Sequence, residues 1–359
     1  MKRTLTISVD QLFRRHPGGI GTYVRGLAEG LASLDSEFDV LGVGPRGSVP
    51  STLEKLPLRY TSAGVPLNVL AKVWPLMPLG VARDSMIVHA TSMTGPFAGG
   101  MSGAVHSVAM HDLLWRDQPQ SATRRGIKFH EARLTLILRR EDLRIFTTSP
   151  TLAERLSALG VASSRIHFVR LGVDEHREPA ASEEEVAALL RARGVTGPYT
   201  LYAGTREPRK NIGRLIAAHH EARQRRHDLG PLVLVGPQGW GGVDTADAIV
   251  LGSVERAVLW GLYRDAGVFA YVPLSEGWGL PPVEALHAGA RVVASATVPS
   301  VATNAEVILV DPLSVSSIAT GLCEALDKER GEAGAKSRMQ SVAHLTWRHS
   351  ALDHVAGWQ

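Results

Sequence analysis

The stretch SEGWGLPPVEALHAG, residues 275–289, constrains the fold more than any other part of the chain. The tandem prolines Pro281 and Pro282 suit the opening of a helix, where a missing N–H costs little, and neither belongs in a helix interior. Gly289 suits the left-handed position just past a helix end. The spacing therefore predicts a short helix with an open N-terminus. Gly277 and Gly279 let the backbone approach a ligand, so that N–H groups and the positive end of the helix dipole can face an anion such as a diphosphate. Glu276 stands in the loop and Glu284 in the first turn of the helix, each able to accept hydrogen bonds from a polyol. An acid in a first turn can also be only a dipole-compensating cap. Anion, sugar and second polyol together describe a nucleotide-diphosphate sugar.

The rest of the chain supplies a scaffold for such a site twice over. TLTISVDQLF (4–13) predicts a strand, and HPGGIGTYVRGLAEGLASL a glycine-rich turn into an amphipathic helix, which is how a Rossmann-like unit opens. FDVLGV (38–43) and MIVHA (86–90) read as buried parallel strands. The apolar segment 65–82, interrupted by Pro66, Pro75 and Pro78, reads as a helix pair over the sheet or, alternatively, as a rim touching lipid. AVHSVAMHD (104–112) predicts a strand that delivers His111 and Asp112 to its carboxyl end, where open α/β sheets place ligands; a satisfied polar pair is the plainer explanation. His89 and His106 read as structural. The basic segment 121–144 has apolar residues at helical spacing and predicts a helix facing solvent or an anionic lipid surface.

The second half restarts the plan. Ser182 and Glu185 predict a capping box for a helix over 183–193, and YTLYAGT a buried strand. GTREPRKN (204–211) is a basic turn opening a helix. Exposed cations at a helix start are opposed by the dipole, a conflict that argues for a bound anion, and Arg209 and Lys210 could neutralise a diphosphate. A last helix is predicted over 338–358.

Composition excludes several classes. Lys plus Arg number 39 against 35 for Asp plus Glu, and a net charge of +4 is too small an excess to indicate nucleic acid. Gly18, Gly19 and Gly21 do not spell the dinucleotide fingerprint, and no acidic residue closes a second strand at the expected distance, so NAD is not indicated. The single Cys323 precludes an intrachain disulfide and a cysteine metal cluster, and implies a reducing, cytoplasmic setting. The start MKRTLTISVD reads as a strand and not a signal peptide, and no apolar run reaches the ~18 residues of a membrane span. Asp-x-Asp, a common metal-binding motif, is absent from the sequence.

EGWGLPPVEA resembles the Glu-x7-Glu signature of retaining glycosyltransferases of family 4, and HPGGIG, AMHD and GTREPRKN extend the resemblance over both halves of the chain. It implies an α/β, GT-B fold: two Rossmann-like parallel-sheet domains facing each other across a cleft. An acceptor-side domain over 1–172 and a donor domain over 173–340 would meet at a hinge near Gly172 to Asp174, with a C-terminal helix in 341–359 packing back on the first. The resemblance also implies roles. Glu276 would contact the donor sugar, Glu284 the ribose, and His111 the transferred sugar near its reacting carbon. Arg209 and Lys210 would hold the diphosphate and stabilise its departure without a metal. Thr205 stands where many members carry Arg, so Arg206 and Arg209 remain alternatives for the guanidinium. Gly18, Gly19, Gly21, Gly277, Trp278, Gly279 and Leu280 would line the donor, with Gly252 and Val254 beside the base. Pro299, Ser300, Val301 and Thr303 depart from the family pattern, which weakens any inference about the sugar. Among relatives the combination most resembles mannosyltransferases of bacterial polysaccharide assembly. This implies a GDP-mannose donor, with UDP-sugars as the alternative. The acceptor would be a glycan or lipid-linked hydroxyl, with peripheral contact at the inner membrane face as a further partner. A sugar-nucleotide 2-epimerase of the same fold and a non-catalytic nucleotide-sugar binding protein are the rivals.

Overall fold

A computed structural model describes residues 2–34, 38–98, 103–173, 179–329 and 331–359. Asp174 of the expected hinge lies outside them. The chain divides into two compact units, Met1–Gly172 with Leu345–Gln359, and Val173–His344. The first holds the strands β1 (Arg3–Ser8), β2 (Phe38–Gly44), β3 (Arg59–Ser62), β4 (Ser85–Ala90), β5 (Val105–Met110), β6 (Arg144–Thr147) and β7 (Ile166–Phe168), in the order β3-β2-β1-β4-β5-β6-β7. The second holds β8 (Thr200–Ala203), β9 (Leu232–Val235), β10 (Ile249–Gly252), β11 (Val268–Tyr271), β12 (Val292–Ser295) and β13 (Val307–Val310), in the order β10-β9-β8-β11-β12-β13. Every pairing is parallel. Central strands are buried almost end to end, as their β-branched sequences require when helices cover both faces. In each sheet the strand order reverses once, between β1 and β4 and between β8 and β11, and these reversals open a crevice at the carboxyl ends of the strands.

Several elements differ from the sequence expectation. β1 ends at Ser8, and Asp10–Phe13 turns as a 3-10 helix once the Val9 N–H has made its bond to the Val43 carbonyl at 2.9 Å. Only Leu67–Val73 of the apolar 65–82 segment is helical, because Pro75 and Pro78 cannot continue it. The expected last helix is two, Glu332–Val342 and Trp347–Trp358, divided where the Thr346 hydroxyl caps the second by accepting from the His349 N–H. The basic segment forms the helix Arg124–Arg139, and the capping box of Ser182 and Glu185 opens the helix Glu183–Arg191.

The C-terminal helix Trp347–Trp358 packs within the first unit on the helix Gly18–Ala32. Close approach is possible because Gly26 and Gly30 share one face: a Cβ at Gly26 would fall 2.0 Å from the Trp347 ring, and one at Gly30 2.1 Å from its carbonyl oxygen. Arg170 clamps Asp353 with two bonds of 2.8 and 3.0 Å, and Arg144 donates to the Gly357 carbonyl at 2.6 Å. Gly26→Ala is expected to lower the free energy of unfolding by about 3 kcal/mol, the upper end for overpacking, since the indole has nowhere to move. Gly19→Ala, with open space at its Cβ, is expected to change it by under ~1 kcal/mol. Urea melts of the two variants against the parent check both values.

Candidate functional site

In the second unit the loops after β8 and β11 meet at the strand-order reversal. The turn after β8 runs through the 3-10 helix Pro208–Lys210 to Asn211, whose φ of 61° is the sole positive value of a non-glycine among the described residues. Asn tolerates this region, and its Nδ2 donates to the carbonyls of Val272 and Pro312 at 3.0 and 2.7 Å, locking the turn against the neighbouring loop. The Leu274 N–H donates to the Arg209 carbonyl at 2.8 Å. The Asn211 side chain and this backbone bond together bring residues 209 and 210 beside Glu276.

Lys210 is 7% exposed, and its ammonium forms an ion pair with Glu276 Oε2 while donating to the Tyr271 hydroxyl at 2.5 Å. Tyr271 in turn donates to the same carboxylate oxygen at 2.6 Å, and Arg209 Nη1 reaches it at 3.3 Å. Burial alone would raise the Glu276 carboxyl, but the charges of Lys210 and Arg209 and the two hydrogen bonds outweigh it and hold the group down to about 2. Burial pushes the Tyr271 phenol up, and the Glu276 charge adds to it, so Tyr271 stays a donor. Arg209 Nε also binds Glu207 at 2.6 Å. The sequence pointed to exposed cations unopposed at a helix start; instead Lys210 is buried and a protein carboxylate offsets it.

Glu276 leads into the helix Leu280–His287, opened by Gly279 at φ 95°. A Cβ there would meet Val298 Cγ1 at 2.4 Å, so both conformation and space require glycine. Pro281 and Pro282 remove two first-turn donors. The N–H groups of Gly279 and Leu280 have no acceptor among the described residues. The Gly277 N–H donates to Glu276 Oε1 at 3.2 Å, and the loop is pinned by Ser300, which donates to the carbonyls of Trp278 and Gly279. Glu284 lies in the second turn and not the first, which removes the capping role. Its carboxylate accepts from Tyr263 at 3.1 Å and lies 3.9 Å from Arg256. Arg206 is turned toward the β9 loop, donating to the Gly236 carbonyl at 3.0 Å, so Arg209 is the guanidinium that joins the cluster. Val254 is half-buried in the turn between β10 and the helix Arg256–Asp265. Tyr271, Tyr263 and Arg256 were missed from the sequence, although a tyrosine ending a buried strand just before the loop is a signal for the first.

In the first unit His111 follows β5. Its Nε2 donates to the Thr91 carbonyl at 2.9 Å, leaving Nδ1 as the free lone pair. Burial lowers its pKa, against smaller opposing effects of the Thr91 bond and Asp112, so the imidazole is neutral. Asp112 turns away to accept from the Leu114 N–H at 3.2 Å. Gly18 opens its helix at φ 60°, and the Cβ positions of Gly18 and Gly19 are open. Gly21 differs: its N–H is spent on the Pro17 carbonyl at 3.1 Å and its Cβ position is filled by Pro17, so it serves the turn. His89 and His106 are both buried, 0% and 4% exposed.

Residues 18–172 match the family described as Glycosyl transferase 4-like domain, and residues 191–341 that described as Glycosyl transferases group 1. The chain belongs to the family 4 glycosyltransferases. It is 25% identical over 267 residues to O-antigen chain mannosyltransferase B of Escherichia coli, covering 69% of this chain and 68% of the relative. It is 28% identical over 235 residues to the serotype-specific mannosyltransferase WbdA of Escherichia coli, covering 60% of this chain but only 28% of that longer protein. Among solved structures, sucrose-phosphate synthase of Thermosynechococcus elongatus superposes with a TM-score of 0.72 at 20% identity, over 99% of this chain and 98% of the other. HepE of Anabaena, solved with UDP and glucose, does so with 0.72 at 16% identity over the same shares, 99% and 98%. These likenesses establish the GT-B fold, and the enzyme is a hexosyltransferase.

The buried pair at the centre of this glycosyltransferase makes its stability pH-dependent in one direction. The folded pKa of Glu276 lies below the unfolded value, so its contribution is full above about pH 4.5 and is lost as pH falls through about 2. Glu276→Gln strands the Lys210 ammonium in the interior and is expected to cost about 3–5 kcal/mol. Adding Lys210→Met should return more than half of that loss. Urea unfolding of the two single variants, the double variant and the parent measures this coupling; additive losses would contradict it.

Proposed function

We propose that this glycosyltransferase moves mannose from GDP-mannose to a hydroxyl of a glycan or lipid-linked glycan, with retention at the anomeric carbon and without a divalent cation. The observation that carries the reading is the placement of Lys210 and Arg209 on Glu276 at the carboxyl ends of β8 and β11, beside the Leu280–His287 helix. Donors of Arg209 and Lys210, oriented by Glu207 and Glu276, and a helix N-terminus are the groups that would hold a diphosphate in place of a metal. Glu276, ionised and turned by Tyr271, accepts hydrogen bonds from the donor sugar; Glu284 does the same for the ribose, with Val254 beside the base. Mannose is favoured by the two mannosyltransferase relatives.

In this reading the bond from the sugar's anomeric carbon to the diphosphate oxygen breaks as Arg209 and Lys210 stabilise the departing charge. The acceptor oxygen bonds to the same face, and its proton passes to the leaving phosphate. His111, neutral, presents the Nδ1 lone pair to the transferred sugar. Glu276 and Glu284 belong to one segment and do not flank the reacting bond as paired glycosidase carboxylates would. A cytoplasmic setting, supported by the lone Cys323, completes the reading, as does peripheral contact of the basic Arg124–Arg139 helix with anionic lipid.

Calorimetry with GDP-mannose, UDP-glucose and UDP-galactose, each with EDTA and then with magnesium, is the test. GDP-mannose is expected to bind at least about tenfold more tightly than either UDP-sugar, which corresponds to ~1.4 kcal/mol, with no gain from magnesium. Lys210→Met is expected to lower transfer by about 100-fold, as loss of a leaving-group donor does. Binding that requires the metal, or a product of inverted anomeric configuration by NMR, would overturn the reading.

A further inference from the structure

Behind His111 lies a buried polar chain that the reaction above does not use. The His354 Nδ1 is 2.7 Å from the Ser350 carbonyl, which can only accept, so Nδ1 carries the proton. In neutral His354 the Nε2 is then a lone pair, and the Tyr23 hydroxyl 2.8 Å away must donate to it. That leaves the Tyr23 oxygen to accept from His89 Nε2 at 2.7 Å. His89 Nδ1 then accepts from the Ser107 hydroxyl at 2.9 Å, and Ser107 accepts from the Trp358 indole at 3.0 Å. The Ser107 hydroxyl also lies 3.4 Å from the Val88 carbonyl, a longer alternative to His89; no other arrangement of neutral groups satisfies all five contacts. Tyr23, His89 and His354 are 1%, 0% and 0% exposed, and burial lowers both histidines, that of His354 to about 4, which keeps the chain in this one state.

We infer that Tyr23, gripped by His89 and His354, is a positioning residue that keeps the imidazole of His111 seated on the Thr91 carbonyl and, through that bond, in the Nε2–H tautomer. The Tyr23 ring meets the His111 ring edge-on, with centroids 5.0 Å apart and planes at 76°. Among the described residues His111 has one polar anchor, Thr91; a ring flip would put Cε1 in place of Nε2 and break that bond, and the Tyr23 ring packs against the imidazole that makes it. Tyr23 cannot swing away without breaking two buried hydrogen bonds. His354 is itself stacked on Phe146 at 5.0 Å and 4°, and comes from the C-terminal helix. The last helix of the chain therefore sets the geometry of a group that follows β5. The inference rests on the reading of His111 as the group that meets the transferred sugar.

The test uses the full chain labelled with 15N-histidine. Tyr23→Phe keeps the ring and deletes the hydroxyl; kcat is expected to fall about tenfold, as a small misplacement of a reacting group does. The donor KM should stay within about twofold, since the donor contacts lie elsewhere. Its nitrogen spectrum should show His111 exchanging between tautomers where the parent shows Nε2–H alone. His354→Gln, whose side-chain oxygen can accept from Tyr23, should restore most of the parent turnover, whereas His354→Leu should behave as Tyr23→Phe. Parent-like kcat together with an unchanged His111 tautomer in Tyr23→Phe overturns the inference, as do equal losses in His354→Gln and His354→Leu. The tautomer readout needs no turnover. Mixing of His111 in Tyr23→Phe therefore upholds the positioning role even where mannosyl transfer fails, and the two readings fail separately.

Discussion

A buried charge tolerates its position only with a partner, and the second unit is arranged around one such pair, Lys210 and Glu276. The ammonium is nearly excluded from solvent, the carboxylate is held ionised, and Tyr271 donates to one while accepting from the other. Removing either charge would strand the other. The loops that carry them are consequently fixed to each other as firmly as the strands are, through Asn211, Leu274 and Ser300. In the proposed reading, a site preorganised in this way would meet an anionic leaving group without first ordering itself, the condition under which electrostatic stabilisation is effective.

The first unit relies on directional hydrogen bonds. Its buried polar side chains at the carboxyl ends of β1, β4 and β5 are hydroxyls, imidazoles and the Asp10 carboxyl, which accepts from Thr94 at 2.9 Å, and burial keeps the histidines uncharged. Directional hydrogen bonds replace the ion pair as the device that fixes orientation. Each cluster lies at the carboxyl ends of strands at or next to a reversal of strand order, so topology decides where such side chains can gather and local sequence decides which ones do.

Much of this was legible from residues alone. Periodicity and β-branched runs locate the strands, the Ser182 and Glu185 pair marks a helix start, and the prolines and glycines of 277–289 mark another. What the sequence hid were contacts between distant positions. Lys210 reads as an exposed cation because its partner stands 66 residues further on, and nothing local marks Tyr23, whose acceptor His354 is 331 residues away. Glu284 looks like a cap until Tyr263 shows where its carboxylate points. The 65–82 segment, interrupted by three prolines, reads as a helix pair, but only Leu67–Val73 is helical and no second helix forms in it beyond Pro75. Local rules failed where a tertiary partner, and not propensity, supplies the stabilising interaction.

The most direct measurement is the titration of the Glu276 carboxyl carbon by 13C NMR in the ligand-free enzyme. If Lys210 and Arg209 hold this group as described, its signal should not move between pH 7 and pH 4, with a midpoint near 2, and Lys210→Met should shift that midpoint upward. An ordinary carboxylate midpoint near 4.5, unchanged in Lys210→Met, would contradict the central claim that a buried ion pair organises the site.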